Sequence, residues 1–203
     1  AYPIENPCAE FDFPTQIIGK FHANGDDLYY RVTYRPECIE KGKKSPVLFY
    51  VYGGPHVQMI TNRFGTETKG MEEYFANEGY IVYCVDPHGS ANRGAAFESV
   101  IYQRMNESQV KDYDAALDFF FREYGDVADK DRMAIYGWSF GGYMTLSMLL
   151  KSKYEFRVGV AGGAVVDWRY YEVMYTERYM GVRNLENESY YEACDINLLS
   201  YPT

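Results

Sequence analysis

The 203-residue sequence has no run of about 18 or more apolar residues, so no segment reads as a membrane-crossing helix. It has no Lys/Arg cluster longer than the "KGKK" of Lys41 to Lys44, and its formal net charge is -9. Such a chain repels phosphate backbones, which argues against nucleic acid as a partner. Its four cysteines (Cys8, Cys38, Cys84, Cys194) stand far apart with no C-x-x-C pair, so neither a zinc nor a redox site is expected. Cys84, inside "YIVYCV", reads as a core residue, and the cysteines do not fix the compartment. The opening "AYPIENPCAE" has neither a starting Met nor the basic-then-apolar pattern of a signal peptide, and the chain reads as a piece of something longer. Repeats, low-complexity tracts and linkers are also missing. With 47% hydrophobic residues, one globular domain with a sizeable core is expected.

What the sequence does have is tyrosine, 22 of them, with aromatics at 18%. That excess fits a large aromatic core or a binding surface, since Tyr joins apolar area to a polar tip. Along the chain, "IIGKFHANGDDLYYRVTY" shows two alternating runs joined at Asn24-Gly25, a β-hairpin with a primed turn. "SPVLFYVYGG" and "YIVYCVD" are continuous apolar runs, as expected of buried parallel strands, and "GMEEYFANEG" between them reads as a helix stopped by Gly79. In "SQVKDYDAALDFFFREYG" apolar residues recur at Val110, Tyr113, Leu117, Phe120, Phe121 and Tyr124, the spacing of an amphipathic helix. "RMAIYG", "GYMTLSMLLKS" and "FRVGVAGG" follow as strand, helix and strand. Strands alternating with helices predict an α/β fold with a mostly parallel sheet. Two Asn-x-Ser tripeptides, at Asn106 and Asn187, are expected in surface loops.

The stretch Gly137-Trp138-Ser139-Phe140-Gly141 matches G-x-S-x-G and lies between a predicted strand and a predicted helix. A tight strand-to-helix reversal forces its central serine into a strained conformation, lifts the hydroxyl above the carboxyl end of the sheet, and aims the helix N-terminus at it. Ser139 is therefore the candidate nucleophile, and the amide of Phe140 a candidate oxyanion donor. A hydroxyl needs a base and an orienting acid, which follow the serine in this fold. His22, His56 and His88 all precede Ser139, and no histidine follows it. The order His56, Asp86, Ser139 would abandon the topology that makes the turn meaningful. The expectation is that the acid and base lie beyond this chain, leaving it nearly inert alone.

Three blocks, "YVYGGPH" (Tyr50 to His56), "GWSFGGY" (Gly137 to Tyr143) and "DWRYYEVMYTERYMG" (Asp167 to Gly181), resemble the catalytic domain of the prolyl oligopeptidase family. The third resembles its dipeptidyl peptidase IV branch, including bacterial homologues. The resemblance implies an α/β-hydrolase fold, mostly parallel with helices on both faces, here a partial domain over 1–203 with 1–45 a β-hairpin lead-in. It implies that Ser139 is the catalytic serine and that Tyr52 joins the amide of Phe140 in the oxyanion hole. Val165, Trp168, Tyr171 and Tyr175, with the ring of Phe140, would wall a proline pocket; many relatives carry Tyr where Phe140 stands. The spacing of 168, 171 and 175 would put those three on one face of a helix, and a stacked aromatic slot suits proline, a rigid ring without an N–H. Tyr170, Tyr179, Tyr190 and Tyr191 read as ordinary structural or surface residues, and Asp86 in "DPHGSANRG" as structural.

By the same resemblance the intact parent would be a serine exopeptidase. It would release N-terminal di- or tripeptides after proline or alanine through an acyl-enzyme on Ser139, with no metal or organic cofactor. Its substrates would be peptides with proline or alanine second from the N-terminus. The branch implies a periplasmic, secreted or membrane-anchored location and admits a homodimer of the parent. Two alternatives stand beside it: an endopeptidase or acylaminoacyl-peptidase-type relative, and a non-enzymatic interaction protein on a hydrolase fold.

Overall fold

The computed structural model describes residues 10–63 and 69–196, so Cys8 lies outside the described residues. Its strands are β1 (Thr15–Ala23), β2 (Asp26–Tyr34), β3 (Ser45–Tyr50), β4 (Ile81–Asp86), β5 (Ala128–Trp138) and β6 (Val158–Gly162). They form one sheet in the order β1-β2-β4-β3-β5-β6. β4, β3, β5 and β6 pair in parallel, while β2 runs antiparallel to both β1 and β4. The N-terminal hairpin is thus an integral edge of the sheet. Its turn residues Asn24 and Gly25 both take positive φ, 53° and 95°, as a primed two-residue turn requires.

The helices are α1 (Lys69–Asn77), α2 (Ala95–Glu98), α3 (Glu107–Tyr124), α4 (Phe140–Lys151), α5 (Val173–Met180) and α6 (Glu188–Cys194). Because side chains alternate across a strand, β3 feeds two cores. Val47 and Phe49, with Tyr83 and Ile135, pack against Val110, Tyr113, Leu117 and Phe120 of α3 and Tyr143, Met144 and Met148 of α4. Leu48 and Tyr50, with Val82 and Cys84, pack on the other face against Met59, Ile60 and the Met71 and Phe75 side chains of α1. Both faces of the central strands β3 and β4 are covered, which is why β4 is buried along its whole length. This is the α/β-hydrolase arrangement.

Two expectations change. β5 begins earlier than "RMAIYG", because Ala128 already pairs with Ser45 before a register shift. The two Asn-x-Ser asparagines are buried rather than displayed in surface loops: Asn106 stands in the left-handed region ahead of α3 and donates to the Tyr143 hydroxyl at 2.6 Å, and Asn187 donates to the Val182 carbonyl at 3.0 Å. On the outer edge of the sheet, β6 leaves Val158 and Val160 exposed and has no further strand partner among the described residues. No described helix is long and apolar enough to cross a membrane.

Candidate active site

Ser139 occupies the reversal between β5 and α4 with φ 57° and ψ -119°. That region is costly for a residue with a Cβ and persists only where its surroundings enforce it. The enforcement is visible on both sides. The Ser139 amide donates to the Gly162 carbonyl of β6 at 2.8 Å, and its own carbonyl accepts from Tyr143 at 3.1 Å, opening α4. A Cβ on Gly141 would lie 2.5 Å from the Val51 carbonyl oxygen, and one on Gly137 would collide with the Gly141 and Val51 carbonyls. Glycine is required at both places because three backbones meet there. The serine side chain is half-buried at the carboxyl end of the parallel strands, where open α/β sheets bind ligands.

Tyr52 stands two residues beyond β3, the strand beside the reversal. Val51 is tied to β5 by its amide, which donates to Tyr136 at 2.9 Å. The same Gly141 Cβ would sit 3.2 Å from the Tyr52 Cα, so the backbone of Tyr52 passes against the first turn of α4. Burial raises the Tyr52 phenol above its ordinary value, with Tyr171 and Tyr179 adding to the effect. The phenol therefore keeps its proton at neutral pH and is available as a donor.

The aromatic residues singled out in the sequence do come together, although not on one helix. Trp168 lies in a short 3₁₀ turn (Trp168–Tyr170), Tyr171 is extended, and α5 starts only at Val173. Two caps force the break. The Asp167 carboxylate accepts from the amide of Arg169, and the Glu172 carboxylate accepts from Met174 and Tyr175. The rings converge all the same. Trp168 stacks on Tyr175 at 6.1 Å, Tyr171 meets both edge-on at 5.9 and 5.4 Å, and Phe140 lies 5.7 Å from Trp168 and 6.3 Å from Tyr52. Val165 is half-buried in the segment between β6 and Trp168. Tyr171 remains partly exposed, whereas Trp168 and Phe140 are almost wholly covered.

The sequence assigns no role to Tyr143 and reads Tyr179 as an ordinary structural or surface residue, and both pack on this cluster. The Tyr143 ring buttresses both Phe140 and Trp168 edge-on, and its hydroxyl donates to the Cys194 carbonyl at 2.6 Å. Tyr179 joins Tyr175 at 4.7 Å and His56 at 5.7 Å. The step of four from Tyr175 to Tyr179 was the available signal. Trp168 is further held by Asp195, which accepts from its amide at 3.3 Å and binds Arg169 at 2.6 Å; burial and the neighbouring Asp167 push the Asp195 carboxyl up to about 6.

No histidine bonds to Ser139 among the described residues. His22 pairs with Asp27, and His56 is exposed against Tyr179. His88 is held between Asp112 at 2.7 Å and Asp26 at 3.1 Å. Asp86 gives both carboxylate oxygens to the amides of Met59 and Ile60, so the order His56, Asp86, Ser139 does not assemble. A separate cavity of about 420 Å³, lined by His88, Asp26, Asp112, Arg104 and Lys111 among others, contains none of the predicted site residues. No group of three or more His, Cys, Asp or Glu among the described residues is placed to hold a metal ion.

Sheet order and serine turn together define an α/β-hydrolase. Residues 67–197 match the model of the prolyl oligopeptidase family, and the chain belongs to that family. It is 36% identical over 184 residues to dipeptidyl peptidase 8 of Mus musculus, covering 89% of this chain and 20% of the relative. To a probable dipeptidyl-aminopeptidase B of Sordaria macrospora it is 36% identical over 195 residues, covering 96% and 21%. Among solved structures, a putative dipeptidyl aminopeptidase IV from Bacteroides ovatus superposes with a TM-score of 0.86 at 39% identity, over 95% of this chain and 27% of that one. Dipeptidyl peptidase 4 of Porphyromonas gingivalis gives 0.81 at 30% identity, over 91% and 26%. The chain thus spans about a fifth of the length of the curated relatives it matches.

Proposed function

We propose that this chain carries the nucleophile of a serine exopeptidase that removes N-terminal di- or tripeptides after proline or alanine. The observation that carries the reading is Ser139, held at φ 57° where β5 turns into α4, with an aromatic cluster packed beside the first turn of that helix. The Ser139 hydroxyl gives up its proton and attacks the scissile carbonyl; the C–N bond breaks, the shortened peptide leaves as a protonated amine, and water hydrolyses the acyl-enzyme that remains. The amide of Phe140 and the Tyr52 phenol donate to the oxygen on which charge develops. Trp168, Tyr171, Tyr175 and Phe140, with Val165, receive the proline ring by stacking and apolar contact, which a ring without an N–H favours. The relatives' names, dipeptidyl peptidase and dipeptidyl aminopeptidase, support the release of dipeptides. His22 and His88 bond to aspartates and His56 is exposed without a bond to Ser139, so the base that activates Ser139 is assigned to polypeptide outside residues 1–203.

The test is active-site labelling of the full-length protein with a fluorophosphonate, which phosphonylates activated serines as fluoride leaves. Wild-type protein is expected to be labelled at Ser139 and the Ser139→Ala variant not at all. Undiminished labelling of the variant would overturn the assignment.

A further inference from the structure

A loop containing two adjacent glycines follows β3, and Tyr52 stands at its start. Gly53 has φ 72°, and residues 51–63 form no regular element, so the loop has little stiffness of its own. Its geometry must come from outside. Near Tyr52 the Gln109 side-chain amide donates to the Gly53 carbonyl at 3.3 Å. Further along, the Val57 carbonyl accepts from the Ala91 amide at 3.1 Å. The densest set of ties is at residues 59 and 60. There the Asp86 carboxylate accepts from the Met59 amide at 2.8 Å and the Ile60 amide at 2.9 Å, while Arg31 donates to the Met59 carbonyl at 2.9 Å.

The groups that make these ties are ones that folding does not bury cheaply. Arg31, Thr33, Glu72 and Asp86 are all nearly inaccessible. Arg31 forks onto both oxygens of Glu72, and Thr33 donates to the same carboxylate at 3.1 Å. A buried charged cluster is weak support for stability on its own, because desolvation offsets the attraction. This one faces the apolar side chains of Met59, Ile60, Leu48 and Tyr50, and what it supplies is specific: donors and acceptors for both sides of one loop residue, plus the next amide.

We infer that Asp86 and Arg31, backed by Glu72 and Thr33, are positioning residues for the Tyr52 phenol. They fix the far end of the loop while the pairing of Val51 with β5 fixes the near end. This rests on the proposed role of Tyr52 as an oxyanion donor. Such a donor works only if it is held close to its productive place, and a misplacement of about 1 Å from a distant change can cost on the order of 10²-fold.

A double-mutant cycle on the full-length protein tests the coupling, reading kcat and KM with a chromogenic N-terminal dipeptide substrate. Tyr52→Phe alone is expected to lower kcat by roughly 10²–10³. Asp86→Asn, nearly isosteric, is expected to lower kcat by about tenfold or more with KM little changed. In the Tyr52→Phe background Asp86→Asn should then cost almost nothing further, because the group it positions is gone. An equal fold-loss in both backgrounds, or a change confined to KM, overturns the positioning role while leaving Tyr52 as a donor. An unchanged kcat for Tyr52→Phe overturns the oxyanion assignment itself, and this inference with it. If Asp86→Asn does not fold, the cycle is run with Arg31→Lys, which keeps a charge for Glu72 but gives up the forked reach to the Met59 carbonyl, and the same outcomes decide.

Discussion

The indole of Trp168 lies nearly parallel to the phenol ring of Tyr175, 9° between planes and 6.1 Å between centroids, with Tyr171 standing edge-on to both. Trp168 is almost wholly covered, while Tyr171 keeps one edge of the cluster open.

If this cluster receives a proline ring, truncating the largest wall should hurt proline more than alanine. Trp168→Ala in the full-length protein is expected to lower kcat/KM for a post-proline substrate by at least about tenfold more than for the matching post-alanine substrate, the scale of one or two lost aromatic contacts. Equal losses on the two substrates would reduce the cluster to core packing.

Gly141→Ala tests the contact between three backbones at the serine. Its new Cβ would press on the Val51 carbonyl, 2.5 Å away, and backbone on each side cannot swing aside as a side chain can. A loss of about 1–3 kcal/mol in unfolding free energy is expected by chemical denaturation, the usual cost of overpacking. Labelling of Ser139 should fall with it, since the same contact shapes the turn. Unaltered stability and labelling would show that the turn relaxes freely.

His88 gives a pH dependence with a definite sign. The hydrogen bond that the His88 ring donates to Asp112 raises its pKa most; burial opposes this, and Asp26 adds to the rise. A histidine raised in the folded state stabilises fully below its unfolded value of about 6.5, and that contribution is lost as pH climbs through the folded value. Arg104, Lys111 and Glu107 line the same cavity and Arg93 covers the Phe97 ring on which His88 stacks, so the comparison must be made between variants. The melting temperature of the wild type should fall relative to that of His88→Gln as pH rises above about 6.5. Parallel curves would mean that His88 titrates alike in both states.

Much of the scaffold could be read in advance because its signals are local. Asn24-Gly25 specifies its own turn, the apolar run from Ser45 to Tyr50 can only be a strand covered on both faces, and the glycines flanking Ser139 announce a close approach. Where the reading failed, the cause lies at a distance or in a cap. The three aromatic residues suggested one helix, but Asp167 and Glu172 each start a new one, and convergence of the rings comes from tertiary packing. Asn106 looked like a surface tripeptide, yet its partners Tyr143 and Lys151 are far along the chain. Arg31 and Glu72 stand 41 positions apart and leave no periodic trace. Charged residues with remote partners look, in sequence, like any solvated charge.

The uncovered rim of β6 has a practical consequence. Among the described residues β6 has no outer strand partner, and a strand edge that presents exposed valines to water is a template for joining a second strand. Residues 1–203 produced in isolation would tend to zip together rim to rim and precipitate, so poor behaviour of that preparation would speak about an open border and not about the chemistry at Ser139.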